Sequence, residues 1–239
     1  MSMNEILLAT FCLIVLFFVA VFWTTDKCAE IQATPRDHAE RLLDAFKMIK
    51  SVEYIHGENG ADYYTQRDGE RLFICFQGSH GAEDWLNNFD FFAKPYKEMT
   101  ATWRVHRGFL RVWKAVEDII GEQIADPSIS HIEIYGYSHG GALAQFCHEY
   151  CMYHRPDCSV RTYAFGAPRV LWGIVPASVK RRFSGLFIIR NGLDIVPHLP
   201  FVFMGFRHVG LIEDVGLDLH PTKSHLRYRQ VIEDILRTE

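Results

Sequence analysis

Apolar positions fall into three patterns along this chain. The first is unbroken: residues 6–23, which open with Ile6 and close with Trp23, carry no charge and are almost wholly aliphatic or aromatic. At about 1.5 Å per helical residue, such a run nearly crosses a hydrocarbon core about 30 Å thick. A helix buried in a folded domain normally keeps a polar face, and this one has none. A cleaved signal peptide begins basic and ends in small residues. Here the start is Met1-Ser2-Met3-Asn4-Glu5 and the run ends in Val21-Phe22-Trp23. The pattern predicts an uncleaved N-terminal transmembrane helix, a single-pass membrane location, and a division into residues 1–33 (anchor and short linker) and 34–239 (folded domain). Lys27, Arg36 and Arg41 follow the run and lean towards a cytoplasmic domain, while Asp26 and Glu30 among them leave the sidedness open.

The second pattern has helical spacing. Thr34 and Pro35 read as N-cap and first helical position, and Ala39, Leu42, Leu43, Phe46 and Ile49 then recur on one face to about Lys50. Val105-His106-Arg107-Gly108-Phe109 opens another helix, with Leu110, Val112, Trp113 and Val116 on its apolar side. Residues 141–153 and 224–236 predict two more. The third pattern is the short apolar run. Strand-like segments flank the turn Arg67-Asp68-Gly69-Glu70, and the second of them, residues 72–76, is apolar throughout. Residues 132–135, 160–165 and 186–190 behave alike. Strands alternating with helices imply a mainly parallel sheet covered on both faces.

Composition narrows the class without changing the architecture. The chain has 239 residues, 49% of them hydrophobic, with a net charge of -4. That is enough for one well-buried domain, and no basic block marks a nucleic-acid face, so nucleic acid is not an expected partner. Cys12, Cys28, Cys75, Cys147, Cys151 and Cys158 match no zinc spacing. They read as small buried hydrophobes, with a Cys151–Cys158 disulfide left open.

Chemistry enters at Gly136-Tyr137-Ser138-His139-Gly140. A G-x-S-x-G string is weak alone, but this one follows a strand-like run and opens a helical one. That is the setting of a nucleophilic serine on a sharp strand-to-helix turn, where glycines two before and two after let strand and helix pass closely. A serine hydroxyl needs a base to take its proton and a carboxylate to orient that base. In a sheet of this kind both follow the serine in the chain. In the last quarter of the chain the candidates for the base are His198, His208, His220 and His225. An oxyanion needs backbone donors, one of them the N–H of the residue after the nucleophile, His139.

Cys75-Phe76-Gln77-Gly78-Ser79, Asp84-Trp85-Leu86, Val105-His106-Arg107-Gly108-Phe109, the serine motif, Phe165-Gly166-Ala167-Pro168-Arg169 and Asn191-Gly192-Leu193-Asp194-Ile195-Val196-Pro197 occur in the order found in class 3 (fungal-type) lipases. Over residues 62–228 the chain resembles that family, and the resemblance implies an α/β-hydrolase fold. It also implies Asp194 as the orienting acid, Ser79 as the second oxyanion donor, and His225, at the start of His225-Leu226-Arg227-Tyr228, as the preferred base, with His208 as the alternative. A lid is implied over residues 80–92, where Trp85, Leu86, Phe89, Phe91 and Phe92 lie among acids. The expected function is a membrane-anchored serine hydrolase acting on carboxylic esters of lipids, without metal or cofactor. A carboxylesterase for soluble esters and a catalytically silent interaction module remain as alternatives.

Overall fold

The computed structural model describes Thr10, Leu13 and residues 29–33, 36–78, 92–96, 104–216 and 218–237. Its main sheet is built from β1 (Ala29–Ala33), β2 (Ile55–His56), β3 (Asp62–Asp68), β4 (Arg71–Phe76), β7 (His131–Tyr137), β8 (Ser159–Phe165), β10 (Leu186–Arg190) and β12 (Gly210–Asp214). The strand order is β1-β12-β10-β8-β7-β4-β3-β2. From β1 to β4 every neighbour is parallel. The β3–β4 hairpin turns at Gly69, where φ is 58°, a left-handed conformation that glycine adopts without a steric penalty.

Alternation along the strands explains why both faces are covered. Leu72, Ile74 and Phe76 of β4, with Ile132 and Ile134 of β7, point into one apolar cluster. Cys75, Tyr135, Tyr137, Tyr163 and Phe165 point into the other. On the first side lie α2 (Arg107–Trp113), α3 (Glu117–Ile124), α4 (His139–His154) and the short α5 (Ala177–Lys180). On the second lie α1 (Arg36–Ser51) and α7 (Tyr228–Arg237). Phe46 of α1 meets the rings of Tyr137, Phe165 and Tyr228 at centroid distances of 5.5, 5.1 and 6.2 Å. Each side chain fully buried in this way stabilises the fold by roughly 1.5–3 kcal/mol.

Several expectations change in detail. The helix expected from residue 105 is preceded by β6 (Arg104–His106) and breaks after Trp113. The closing helix divides into α6 (Lys223–Leu226) and α7 at Arg227. A second, antiparallel sheet of β5 (Ala93–Pro95), β6, β9 (Leu171–Trp172) and β11 (Phe206–Arg207) left no trace in the apolar pattern, because strands of two or three residues are too short to show alternation. Thr34 and Pro35 lie outside the described residues.

The membrane expectation is corrected. Residues 6–23 lie outside the described residues except for Thr10 and Leu13, and among the described residues no helix is long and apolar enough to cross a membrane. Residues 29–33, expected as part of a linker, instead form β1 and pair in parallel with β12 at the sheet edge. Cys75, Cys147, Cys151 and Cys158 are buried free thiols, so no Cys151–Cys158 bond forms.

Two histidines in this interior are held neutral. His148 of α4 bonds Thr162 Oγ1 and the Arg182 carbonyl at 2.9 Å each, and burial pushes its pKa down to about 4. His208 donates to the Pro197 carbonyl at 2.8 Å and is pushed well down by burial and by Arg169. In the unfolded chain both titrate near 6.5. Their folded values are depressed, so the stability they contribute is complete above about pH 6.5 and is lost as pH falls towards His148's folded value of about 4. The thermal midpoint is therefore expected to fall over that window, and to fall less steeply in His148→Gln. Equal slopes in the two proteins would refute the assignment.

Candidate active site

Ser138 occupies the single residue between β7 and α4, with φ 56° and ψ -123°. A non-glycine residue in this region is strained by about 1–3 kcal/mol and persists only where its surroundings impose it. Here they do. The Ser138 N–H donates to the Phe165 carbonyl of β8 at 2.8 Å, and the Gly141 N–H donates to the Ser138 carbonyl at 2.9 Å. The glycines are steric requirements. A Cβ on Gly136 would strike the Gly140 carbonyl, and one on Gly140 would strike the Phe76 carbonyl.

The turn delivers the hydroxyl to a histidine. His225 Nε2 lies 2.9 Å from Ser138 Oγ, and His225 Nδ1 lies 2.8 Å from Asp194 Oδ2. Ser138, Asp194 and His225 are 3%, 1% and 6% exposed, so little water competes for these bonds. Ser138 follows β7 directly, Asp194 lies on the loop after β10, and His225 is carried by α6 beyond β12. All three therefore stand outside the carboxyl ends of parallel strands, where open α/β sheets place their ligands.

Further groups hold the carboxylate and the ring. Tyr228 OH donates to Asp194 Oδ2 at 2.7 Å, and the Val196 N–H donates to Oδ1 at 3.0 Å. Burial and the adjacent carboxylate push the Tyr228 pKa well up, so the phenol stays a protonated donor. Tyr137 stacks on the His225 ring at 4.9 Å with an interplanar angle of 21°, and its hydroxyl donates to the His225 carbonyl at 2.6 Å. Gly166, at φ 54°, lies against the same pair; a Cβ there would come 2.8 Å from His225 Cε1. Tyr137, Val196 and Gly166 were not singled out from sequence for this work. For Tyr137 the one local signal was an aromatic residue immediately before the serine.

The other expected residues lie as follows. His208 is bonded to Pro197 and does not join Ser138 or Asp194. His139 begins α4, where the first backbone N–H groups lack intrahelical acceptors. Its buried ring packs beside Phe109, and burial, partly opposed by Asp62, pushes its pKa down to about 4. Ser79 and residues 80–91 of the expected lid lie outside the described residues, and Phe92 is exposed beneath Arg107. Among the described residues no cluster of His, Cys, Asp and Glu could hold a metal ion. A pocket of about 370 Å³ opens on Ser138 and His225, lined also by Ile49, Lys50, Val52, Tyr54, Gln77, Gly78, Tyr137 and Leu226.

A family model described as lipase (class 3) matches residues 73–204. A secreted mono- and diacylglycerol lipase 1 of Fusarium solani is 28% identical over 170 residues, which are 69% of this chain and 50% of that one. A lipase of Rhizomucor miehei is 31% identical over 185 residues, 72% of this chain and 49% of that one. The chain thus spans about half the length of the curated relatives it matches. Among solved structures, the Rhizomucor miehei triacylglyceride lipase superposes with a TM-score of 0.64 at 21% identity, covering 78% of this chain and 82% of that chain. This likeness shows the α/β-hydrolase fold. The Fusarium relative is secreted by name, which adds to the correction of the membrane-anchored location expected from residues 6–23.

Two substitutions test the geometry. Gly140→Ala is expected to destabilise the fold by more than about 2 kcal/mol, through overpacking against the Phe76 backbone, as read by urea denaturation. Unchanged stability would show that β4 and α4 are not in such close contact. Tyr228→Phe removes one hydrogen bond to a buried carboxylate, costing about 1.5–3 kcal/mol. Its expected signature is a lower kcat/KM on a small ester with KM little changed; a change confined to KM would assign Tyr228 to substrate binding.

Proposed function

The chain belongs to the lipase (class 3) family, and from that premise we propose that it is a serine hydrolase cleaving carboxylic esters of lipids, acylglycerols foremost. The observation that carries the proposal is the 2.9 Å and 2.8 Å relay from Ser138 through His225 to Asp194.

In this mechanism Ser138 Oγ attacks the ester carbonyl carbon while His225 Nε2 takes its proton. Asp194 holds the ring by its Nδ1–H and stabilises the imidazolium, and Tyr228 and the Val196 N–H in turn fix Asp194. The tetrahedral oxyanion is assigned to the His139 N–H and to Ser79. His225 returns the proton to the departing alcohol, leaving an acyl-enzyme. Water, activated by the same histidine, then releases the acid. The strained turn contributes by exposing Oγ beyond the strand end, where the carbonyl can reach it. Burial keeps the His139 ring neutral, so it adds no positive charge beside the oxyanion donor.

The test uses a fluorophosphonate probe and nitrophenyl esters of short and long acyl chains, with and without detergent. The wild-type chain is expected to label and turn over, favouring the longer acyl chains. Ser138→Ala is expected to lose labelling and roughly 10³–10⁶-fold in kcat. Absence of labelling in a folded protein under both conditions would sink the hydrolase reading, and preference for short soluble esters would replace the lipase with a carboxylesterase.

A further inference from the structure

The pocket beside Ser138 contains a charge that neutral ester hydrolysis does not use. Lys50, in the last turn of α1, is one of its lining residues, and none of the described residues that line it is an acid. The Lys50 ammonium lies 4.1 Å from the centroid of the Tyr137 ring and 5.6 Å from that of Phe46. The side chain remains open to solvent, yet enough protein surrounds it that burial lowers its pKa. The bland role for such a residue is to complement the carboxyl end of α1. That role does not require the ammonium to stand over an aromatic ring at the edge of a reaction pocket. Two successive contacts, of 4.1 and 4.9 Å, lead from Lys50 Nζ through the Tyr137 ring to the His225 ring. The charge therefore shares one pocket with Ser138 and His225. Gln77, which carries a carboxamide, lines the same pocket.

We propose that Lys50 and Gln77 form a subsite for an anionic phosphate on the alcohol half of the ester substrate, making Lys50 a specificity-determining residue. Ile49, Val52, Tyr54 and Leu226 give the pocket apolar lining that suits the hydrocarbon part of an ester, and Lys50 and Gln77 add a cation and an amide that such a chain leaves unused. That pair is well suited to phosphate oxygens, which accept charge-assisted hydrogen bonds from an ammonium. At about 370 Å³ the pocket lies within the usual range for a small-ligand site. The substrate class is a phosphate-bearing glycerol ester with one acyl chain or two. This inference rests on the ester-hydrolase reading and refines its substrate.

The experiment compares two esters that dissolve as monomers, dihexanoyl glycerophosphate and dihexanoylglycerol, on the full chain. The ratio of kcat/KM for the phosphate ester to that for the neutral one is expected to fall about tenfold in Lys50→Met, the scale of one charge-assisted hydrogen bond at a partly open site. Lys50→Arg is expected to restore most of the ratio, and Lys50→Glu to lower it further. In parallel, calorimetric binding of the phosphate ester is measured in Ser138→Ala, where Lys50→Met is expected to weaken it about tenfold. An unchanged ratio in Lys50→Met, or binding indifferent to Lys50, overturns the subsite. Absent turnover of both esters with Lys50-dependent binding would sink the hydrolase reading while supporting phosphate recognition.

Discussion

Between β7 and α4 the chain must pass from strand to helix within one residue, and the φ of 56° at Ser138 is how it does so. Such a conformation disfavours itself, so the surroundings must leave no alternative. The turn is trapped by the β8 carbonyl that accepts the Ser138 N–H and by two backbone approaches that only glycine permits, at Gly136 and Gly140. The parallel sheet supplies the rigidity. Once β4, β7 and β8 are in register, α4 has one place to start, and the hydroxyl stands clear of the sheet edge.

The histidine is positioned by an equally crowded set of contacts. Tyr137 precedes the nucleophile in sequence, yet its ring lies against His225 and its hydroxyl bonds the His225 carbonyl. Movement of the nucleophile turn and of the α6 segment is thereby coupled through one side chain. Asp194 is similarly over-determined, with Tyr228, His225 and the Val196 N–H around its two oxygens. The break between α6 and α7 at Arg227 has a consequence here, since His225 and Tyr228 on its two sides both reach Asp194. Elsewhere burial depresses the pKa values of His139, His148 and His208 and raises that of Cys75, which keeps these four groups neutral. His208 bonds the Pro197 carbonyl with Arg169 nearby, whereas His225 bonds the Asp194 carboxylate.

The alternation and spacing of apolar residues determined the layered α/β architecture, the hairpin about Gly69 and the long helices α1 and α4, because those features depend on side-chain period and on turn chemistry close in sequence. The serine motif was legible for the same reason: its glycines answer to contacts within a few residues or with the adjacent strand. Asp194 and His225 were indicated by resemblance and chain order. That Asp194 meets His225 across 31 residues and His225 meets Ser138 across 87 is decided by strand register and loop path, which no local period encodes. The membrane-anchor expectation failed on a related point: an apolar run can be read from sequence, but its final environment cannot. The short second sheet and the Tyr137 and Gly166 contacts were invisible too, since each is a packing relation between distant segments. Local pattern fixes what each segment prefers to be, whereas only the packed sheet determines which side chains come within hydrogen-bonding distance.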